Sequence, residues 1–597
     1  MKNKTTVQKA FIYIPFFLVL TLIPLLTFAH KYTNRLDTYA WYSTNDVNYD
    51  FFLYWKAIFL MITGILALCL FLYFICKNKT YNPFAKHTFF FVPLFIYLVF
   101  ALISACLAME KIFSFFGGAE QFEGFFVLLT YVVMTCYAVY FVQAEKDIEV
   151  IYHFLMVGTG LLAAIGAFQF LGLDFYQSKL GQGLITLLEP TLWGKSLKFN
   201  FESGRSYASL YNPNYIGSYV ALLLPVVVFG AGVLKKLWEK TIMGVIAVFL
   251  LLSLIGSESM TGYLALFLTL ILFAIILIPK MKNHKKQAIF LAAGLLLACC
   301  ALVIVKHDVV KYGINKMVNF QRNDYSVKKI VNSDKGLEVT TDNGAFYIQF
   351  ESSGKQVNFA LKDAEGKKLE ARTSGKSSDI IVDKRFYGFV ITVNEYSVGN
   401  KQLVGFTLGK DGRAWNFIPA NNKYYYYNVF NRVDRIVDVK GIGFENTQHF
   451  GSRRGYIWSR TLPLLGNSFF WGCGPDNFIL TFPNNDYVGL ANNNYTGQIV
   501  TKPHNMYLQM AVQTGVISLI AFLVFYIIYF VRSVKLYYRV KAYGMWEKTG
   551  MGILLGTFGY MITGLANDST VTVAPIFWTL LGIGVAVNEK IIKAVDK

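Results

Sequence analysis

The chain has 597 residues, 55% of them apolar and 15% charged, with a mean hydropathy of +0.42. Soluble domains are about 25% charged, so a single soluble globular domain and a disordered chain are both excluded. Lys and Arg outnumber Asp and Glu by 56 to 36, giving a net charge of +20; whether that signals nucleic acid or a cytoplasmic membrane face depends on where the charges lie.

A bilayer-spanning helix needs about 20 mostly apolar residues. Twelve stretches meet that need, near 11–30, 53–76, 88–108, 124–142, 150–171, 209–232, 241–257, 260–279, 288–306, 505–531, 550–566 and 573–588. The first has the basic start and apolar middle of a signal peptide. It is long, however, and no small-x-small cleavage site follows Ala29, so a retained anchor is expected. With the N-terminus inside, the cytoplasmic segments hold 22 Lys and Arg and the short loops opposite hold 7. The positive-inside rule then puts both termini in the cytoplasm. Topology thus accounts for the basic excess, and no nucleic-acid role is expected.

This orientation puts one long insertion, 307–504, outside the cytoplasm. The expected organisation is a membrane domain at 1–306, a β-rich insert at 307–450, outer-surface helices at 451–504 and the last membrane helices at 505–597. Only Cys473 lies outside the membrane stretches, so the insert has no disulfide framework. Within it, apolar residues alternate at 336–340, 345–350, 357–361, 380–382, 387–393, 403–408 and 424–427. Turn signals separate them, such as Asp342-Asn-Gly344 and Asp411-Gly412. Short strands at this spacing predict a β-sandwich. Its aromatics suit a core and also suit sugar stacking. After about 430 the period becomes helical, with an amphipathic helix over 453–465, a turn at Gly466-Asn467 and a short helix from Asp476 to Phe482.

No Walker A loop and no His-Glu-x-x-His or Cys-x-x-Cys spacing occurs, so neither ATP nor a metal cofactor is expected. Polar residues at outer helix ends carry more information. His504 follows Lys502-Pro503 and opens a membrane helix at Asn505; a neutral His there is placed to act as a general base, and alone it also fits an interfacial residue. Arg205 precedes Asn212-Pro213-Asn214, a plausible N-cap with Pro at N1. Arg454 stands four residues before Trp458 on the amphipathic helix. Outer arginines break the charge bias and suit phosphate, whose oxygens the guanidinium fork binds in pairs. Snorkelling or a salt bridge explains either one alone.

Taken in order, these motifs resemble the O-antigen ligase and O-antigen polymerase family of membrane glycosyltransferases. Gly118-Ala-Glu-Gln-Phe-Glu123-Gly124 resembles the family's loop ending in Glu-Gly. Arg205 with Asn212-Pro-Asn214 resembles its Arg…Asn-Pro-Asn entry to a helix. Arg454-x-x-x-Trp458, Gly472-Cys-Gly474 and Phe478 resemble its Arg-x-x-x-Trp…Gly-x-Gly-x-x-x-Phe run, and His504-Asn505…Leu508…Gly515 its His-Asn-x-x-Leu…Gly run. One place departs. Gly256-Ser-Glu258-Ser-Met-Thr-Gly262 carries Glu258 where an Arg is common, and Arg453 and Arg460 are candidates to replace that cation.

The resemblance implies a polytopic α-helical fold, like that of GT-C glycosyltransferases; the extracytoplasmic β-sandwich expected from the strand pattern is an insertion outside the matched motifs, which the resemblance does not explain. It implies transfer of a glycan from a polyprenyl diphosphate to a hydroxyl of a glycan, lipid, wall polymer or protein, inverting and without a metal or nucleotide. His504 would be the base, with Arg205 and Arg454 on the diphosphate and Asn212, Asn214, Trp458 and Asn505 lining the site. Two other classes fit twelve spans less well. A secondary transporter usually shows related halves and mid-membrane ionisable groups, and no two-half similarity is seen. A β-domain binding protein needs only one span as anchor.

Overall fold

The computed structural model describes residues 2–77, 88–118, 120–199, 201–281, 326–353, 356–374 and 378–595. Among these, eight helices are long and apolar enough to cross a membrane. They are Tyr54–Lys77 (α2), Phe90–Leu107 within Thr88–Leu107 (α3), Glu145–Phe170 (α5), Pro213–Val233 (α6), Leu237–Ser257 (α7), Met260–Ile278 within Met260–Met281 (α8), Val516–Arg539 (α11) and Ala574–Ala594 within Ala574–Val595 (α13). The chain is a polytopic membrane protein with a β domain.

Among the described residues, eight of the twelve expected stretches coincide with or overlap a single helix of that length and apolarity, and the others differ for local reasons. The first stretch begins as Lys2–Phe17 (α1), turns π-helical at Leu18–Leu22 and ends as Ile23–Leu25, so its apolar part is short. Phe125–Phe141 (α4) has 17 residues. Met545–Thr563 (α12) spends its first turn on Glu547 and Lys548, which lowers its hydropathy. The tenth stretch is two helices, Met506–Thr514 (α10) and α11, because Gly515 between them has φ 102°. That left-handed conformation is open to glycine and strained for other residues. The expected span at 288–306 lies outside the described residues.

α6 packs on α12 and α7, α5 on α7, and α4 on α13. Their buried faces form one core that includes Tyr219, Leu222, Leu554 and Leu581. Ile65, Phe95 and Leu161 stay exposed on the outside of the bundle, where lipid tails would take them.

The β domain contains two sheets. One has four antiparallel strands in the order Lys329–Ser333 (β3), Gly336–Thr341 (β4), Gly344–Ser353 (β5) and Gln356–Asp363 (β6). The other has seven: Ala371–Ser374 (β7), Ser378–Ile381 (β8), Val390–Val398 (β9), Lys401–Lys410 (β10), Arg413–Ala420 (β11), Lys423–Tyr427 (β12) and Val433–Arg435 (β13). Leu337, Phe346 and Ile348 from the first sheet share a core with Ile391, Phe406 and Trp415 from the second. Phe350 meets Phe406 across the gap at 5.1 Å between ring centroids. The two sheets are therefore a sandwich, and most of its strand aromatics fill the core. Each strand read from alternation has a counterpart; β3, β7, β11 and β13 are additional. A further short pair, His30–Tyr32 (β1) and Asn48–Asp50 (β2), closes the loop after the first helix.

The sandwich is tied to one end of the bundle. Asn428 donates to the Ala40 carbonyl at 2.7 Å, Arg432 donates to the Asp37 carbonyl, and Tyr426 stacks on Tyr487 at 3.9 Å. Phe406 is fully buried, so Phe406→Ala is expected to cost about 3–5 kcal/mol of sandwich stability. Limited proteolysis of the full-length protein in denaturant should then cut within 326–435 at lower denaturant, with the helical core unchanged.

Candidate active site

The loops that carry the motifs converge at the end of the bundle that bears the sandwich. His504 sits at φ 52°, a strained left-handed position, just before α10. Asn505 caps that helix, its Oδ1 accepting from the Tyr507 and Leu508 amides at 3.0 and 2.9 Å. The same side chain donates to the Leu565 carbonyl at 2.8 Å, and the Met506 amide donates to Gly564 at 2.9 Å. These bonds stitch the start of α10 to the 564–573 loop between α12 and α13.

That loop delivers Asp568. Its Oδ2 lies 2.9 Å from His504 Nδ1, with the carboxylate buried and the imidazole 39% exposed. An ionised carboxylate only accepts, so Nδ1 carries the proton of a neutral ring and Nε2 keeps its lone pair. Burial pushes the Asp568 carboxyl up. His504, Lys502 and Arg454 outweigh burial and hold it below the ordinary carboxylate range.

Arg454 reaches the cluster from helix Phe450–Thr461 (α9). Gly451, Ser452 and Arg453 are all left-handed, and the regular helix starts only after them, one residue into the expected 453–465 span. Arg454 Nη1 donates back to the Gly451 carbonyl at 3.0 Å, and its Nε is buried without a partner. Burial lowers its pKa, and Asp568 is the largest opposing influence. One turn on, Trp458 Nε1 donates to the Pro503 carbonyl at 2.9 Å, so the i, i+4 face of α9 meets the His504 loop.

Glu123 is buried. It accepts from Tyr131 Oη at 2.6 Å, Ser569 Oγ at 2.8 Å and Gln509 Nε2 at 3.2 Å. Burial raises its carboxyl to about 7 despite those donors. Its backbone amide and that of Gly118 donate to Asp476 Oδ2 at 2.8 and 2.9 Å. To receive them Asp476 adopts φ 56°, which breaks the expected helix from 476 and leaves only Phe478–Thr481. Gly466-Asn467, expected as a turn, ends a one-turn helix, Leu464–Asn467, after Pro463. A side chain at Gly472 would stand 2.4 Å from the Gln513 carbonyl, so this glycine permits the close seating of its loop on α10.

The remaining candidates take other positions. Asn212 caps α6, accepting from the Asn214 amide at 2.9 Å, with Pro213 at N1. Asn567, next to Asp568, reaches Ser218 Oγ at 3.0 Å and the Asn214 carbonyl at 3.4 Å. Arg205 is ion-paired with Glu258; the residue standing where an Arg is common takes up the cation expected for phosphate. Arg460 pairs with Asp486 at 2.7 Å in a nearly closed setting and lies over Tyr456. Arg453 contributes to the left-handed turn and is half-buried. The structure thus gathers His504, Asn505, Arg454 and Trp458 into one locus linked to Glu123 and Asn214. Arg205, Glu258 and Arg460 are engaged in separate pairs.

Asp568, Lys502, Asp476, Gln509 and Ser569 are partners that the sequence reading missed. Asn567-Asp568-Ser569 stands in the short loop between α12 and α13, which carries no Lys or Arg, and that was a usable signal.

Residues 415–523 match the family model described as O-antigen ligase. This segment of the chain is similar to O-antigen ligases. The O-antigen ligase match begins on β11, so it runs into the sandwich, where the motif resemblance did not reach. It contains Arg454, Trp458, Lys502, His504 and Asn505, and it ends within α11, before Asp568. No curated protein and no solved structure matches the chain.

The raised Asp476 carboxyl makes a prediction. Burial lifts it from 3.8 to about 8, so the folded state binds a proton that the unfolded chain releases near 3.8. Stability therefore falls as pH rises between those values. In Asp476→Asn the amide oxygen keeps both backbone bonds, and the thermal midpoint of purified protein should drop less between pH 6 and pH 8 than in the parent.

Proposed function

We propose that the chain is an O-antigen ligase-like glycosyltransferase of the cytoplasmic membrane. It moves a glycan from a polyprenyl diphosphate to an acceptor hydroxyl outside the cytoplasm, in the synthesis of a cell-envelope polysaccharide. The observation that carries the reading is the His504–Asp568 pair at 2.9 Å, with His504 inside the segment matched to O-antigen ligases. The Lys and Arg asymmetry of the loops argues that this end faces outside and both termini face inside.

In this reaction His504 Nε2 takes the proton of the acceptor hydroxyl. The acceptor oxygen attacks the anomeric carbon as the bond to the diphosphate oxygen breaks, which inverts the centre. The leaving diphosphate takes the electron pair, and Arg454 stabilises its charge. Asp568 holds the ring in the right tautomer and stabilises the imidazolium that forms, as in other His–carboxylate pairs. Arg205 serves the diphosphate once it leaves Glu258. Neither a metal nor a nucleotide takes part. The carrier lipid enters between helices from the bilayer. The sandwich rests on the same end of the bundle, which suits it to present an acceptor other than a second copy of the donor repeat and favours ligase over polymerase.

The test is transfer from a lipid-diphosphate glycan by protein reconstituted in vesicles. His504→Ala should lose nearly all transfer, and Asp568→Asn should lose on the order of 10²–10⁴-fold in kcat with normal insertion. Full transfer by His504→Ala would remove the assignment and return the chain to the transporter class.

A further inference from the structure

Lys502 is a buried cation that the reaction above does not use. It is 7% exposed and stands two residues before His504. Among the described residues no carboxylate lies within the 4.0 Å of an ion pair with it. Aromatic rings hold it instead. Its Nζ sits 5.1 Å from the centroid of Tyr211, and the Tyr215 hydroxyl lies beside it. Tyr211 and Tyr215 stack on each other at 6.4 Å and flank Asn212-Pro-Asn214, so the motif that opens α6 also builds the lysine's cradle. Tyr211 takes φ 77° to do so.

The charge around Lys502 is unbalanced. Arg454 is the second buried cation of the cluster, with its Nε unpartnered. Asp568 is the carboxylate that influences both, and its Oδ2 is taken by His504. Glu120 acts on Lys502 only through space, and burial biases Asp476 and Glu123 toward their neutral forms. Two desolvated cations sharing one buried carboxylate, of which only Oδ1 is left over from the His504 bond, are costly unless a further anion arrives. A lysine held by ring faces is more easily redirected to phosphate oxygens than one locked in an ion pair.

We propose that Lys502, together with Arg454, binds the diphosphate of the substrate next to His504, supplying the cation that Arg205 withholds while Glu258 holds it. The assignment rests on the glycosyltransferase reading. It predicts that Lys502 acts in binding and has no part in the proton transfer.

The experiment uses the full-length protein in nanodiscs, titrated with inorganic pyrophosphate and, separately, with farnesyl diphosphate. Lys502→Met should bind pyrophosphate at least tenfold more weakly with an equal or higher thermal midpoint, because a buried unpaired charge has been replaced by an apolar isostere. Lys502→Arg should restore most of the binding. The same pattern seen only with farnesyl diphosphate would also support the site and would show that the lipid tail contributes. Binding equal to the parent in Lys502→Met would overturn the proposal. So would a lowered midpoint accompanying the loss, which is the mark of a structural post. Glycan transfer in the same nanodiscs separates the two claims. Lys502-dependent binding without any transfer keeps the anion site and removes the transferase. Transfer with an unchanged donor KM in Lys502→Met keeps the transferase and removes the anion site.

Discussion

Asp568 is a buried carboxylate surrounded by His504, Lys502 and Arg454, and its charge survives burial only because those groups are there. The three approach from different parts of the chain. His504 and Lys502 lie on the loop before α10, and Arg454 is carried by α9. Asp568 itself comes from the loop between α12 and α13. Removing the carboxylate would leave buried cations without compensation, and removing the cations would leave a buried carboxylate uncompensated. Losing the carboxylate, or all three of its partners together, loosens the junction at which the loops meet, whereas His504 and Arg454 still face Asp568 when Lys502 alone is replaced.

A second layer of acids holds the first in position. Glu123 links the 118–124 loop to Gln509 on α10 and to Ser569, the neighbour of Asp568. Asp476 in turn holds the amides of Gly118 and Glu123. Burial favours the protonated forms of both acids, so they add little negative charge near the cations. They act as hydrogen-bonding anchors, and the positive character of the centre is left to Lys502 and Arg454.

Much of the membrane fold is legible in the sequence because a bilayer demands long apolar runs, and hydropathy measures length and apolarity directly. Where it misjudges, backbone events intervene: the π turn at Leu18–Leu22 and the break at Gly515. The sandwich is legible from period-two alternation. β11 escapes because its Trp415, Phe417, Ile418 and Pro419 blur that alternation, and β3, β7 and β13 are only three to five residues long. The site is half legible. His504, Arg454 and Trp458 stand out by residue type and spacing. Asp568 and Ser569 lie more than 60 residues beyond His504, and nothing local marks which loop returns to it. Arg205 looks like an anion ligand until its neighbour across the fold, Glu258, is known.

The central claim is that this site consumes a lipid-linked glycan outside the cytoplasm. The most direct measurement compares the lipid-linked glycan pool and the mature envelope glycans, resolved by length, in cells with and without the gene. Long chains stranded on the lipid carrier and missing from their acceptor are expected when the gene is absent. Single repeats left on the lipid, with no longer chains anywhere, would instead mean polymerisation. Pools unchanged in both length and location would contradict the account.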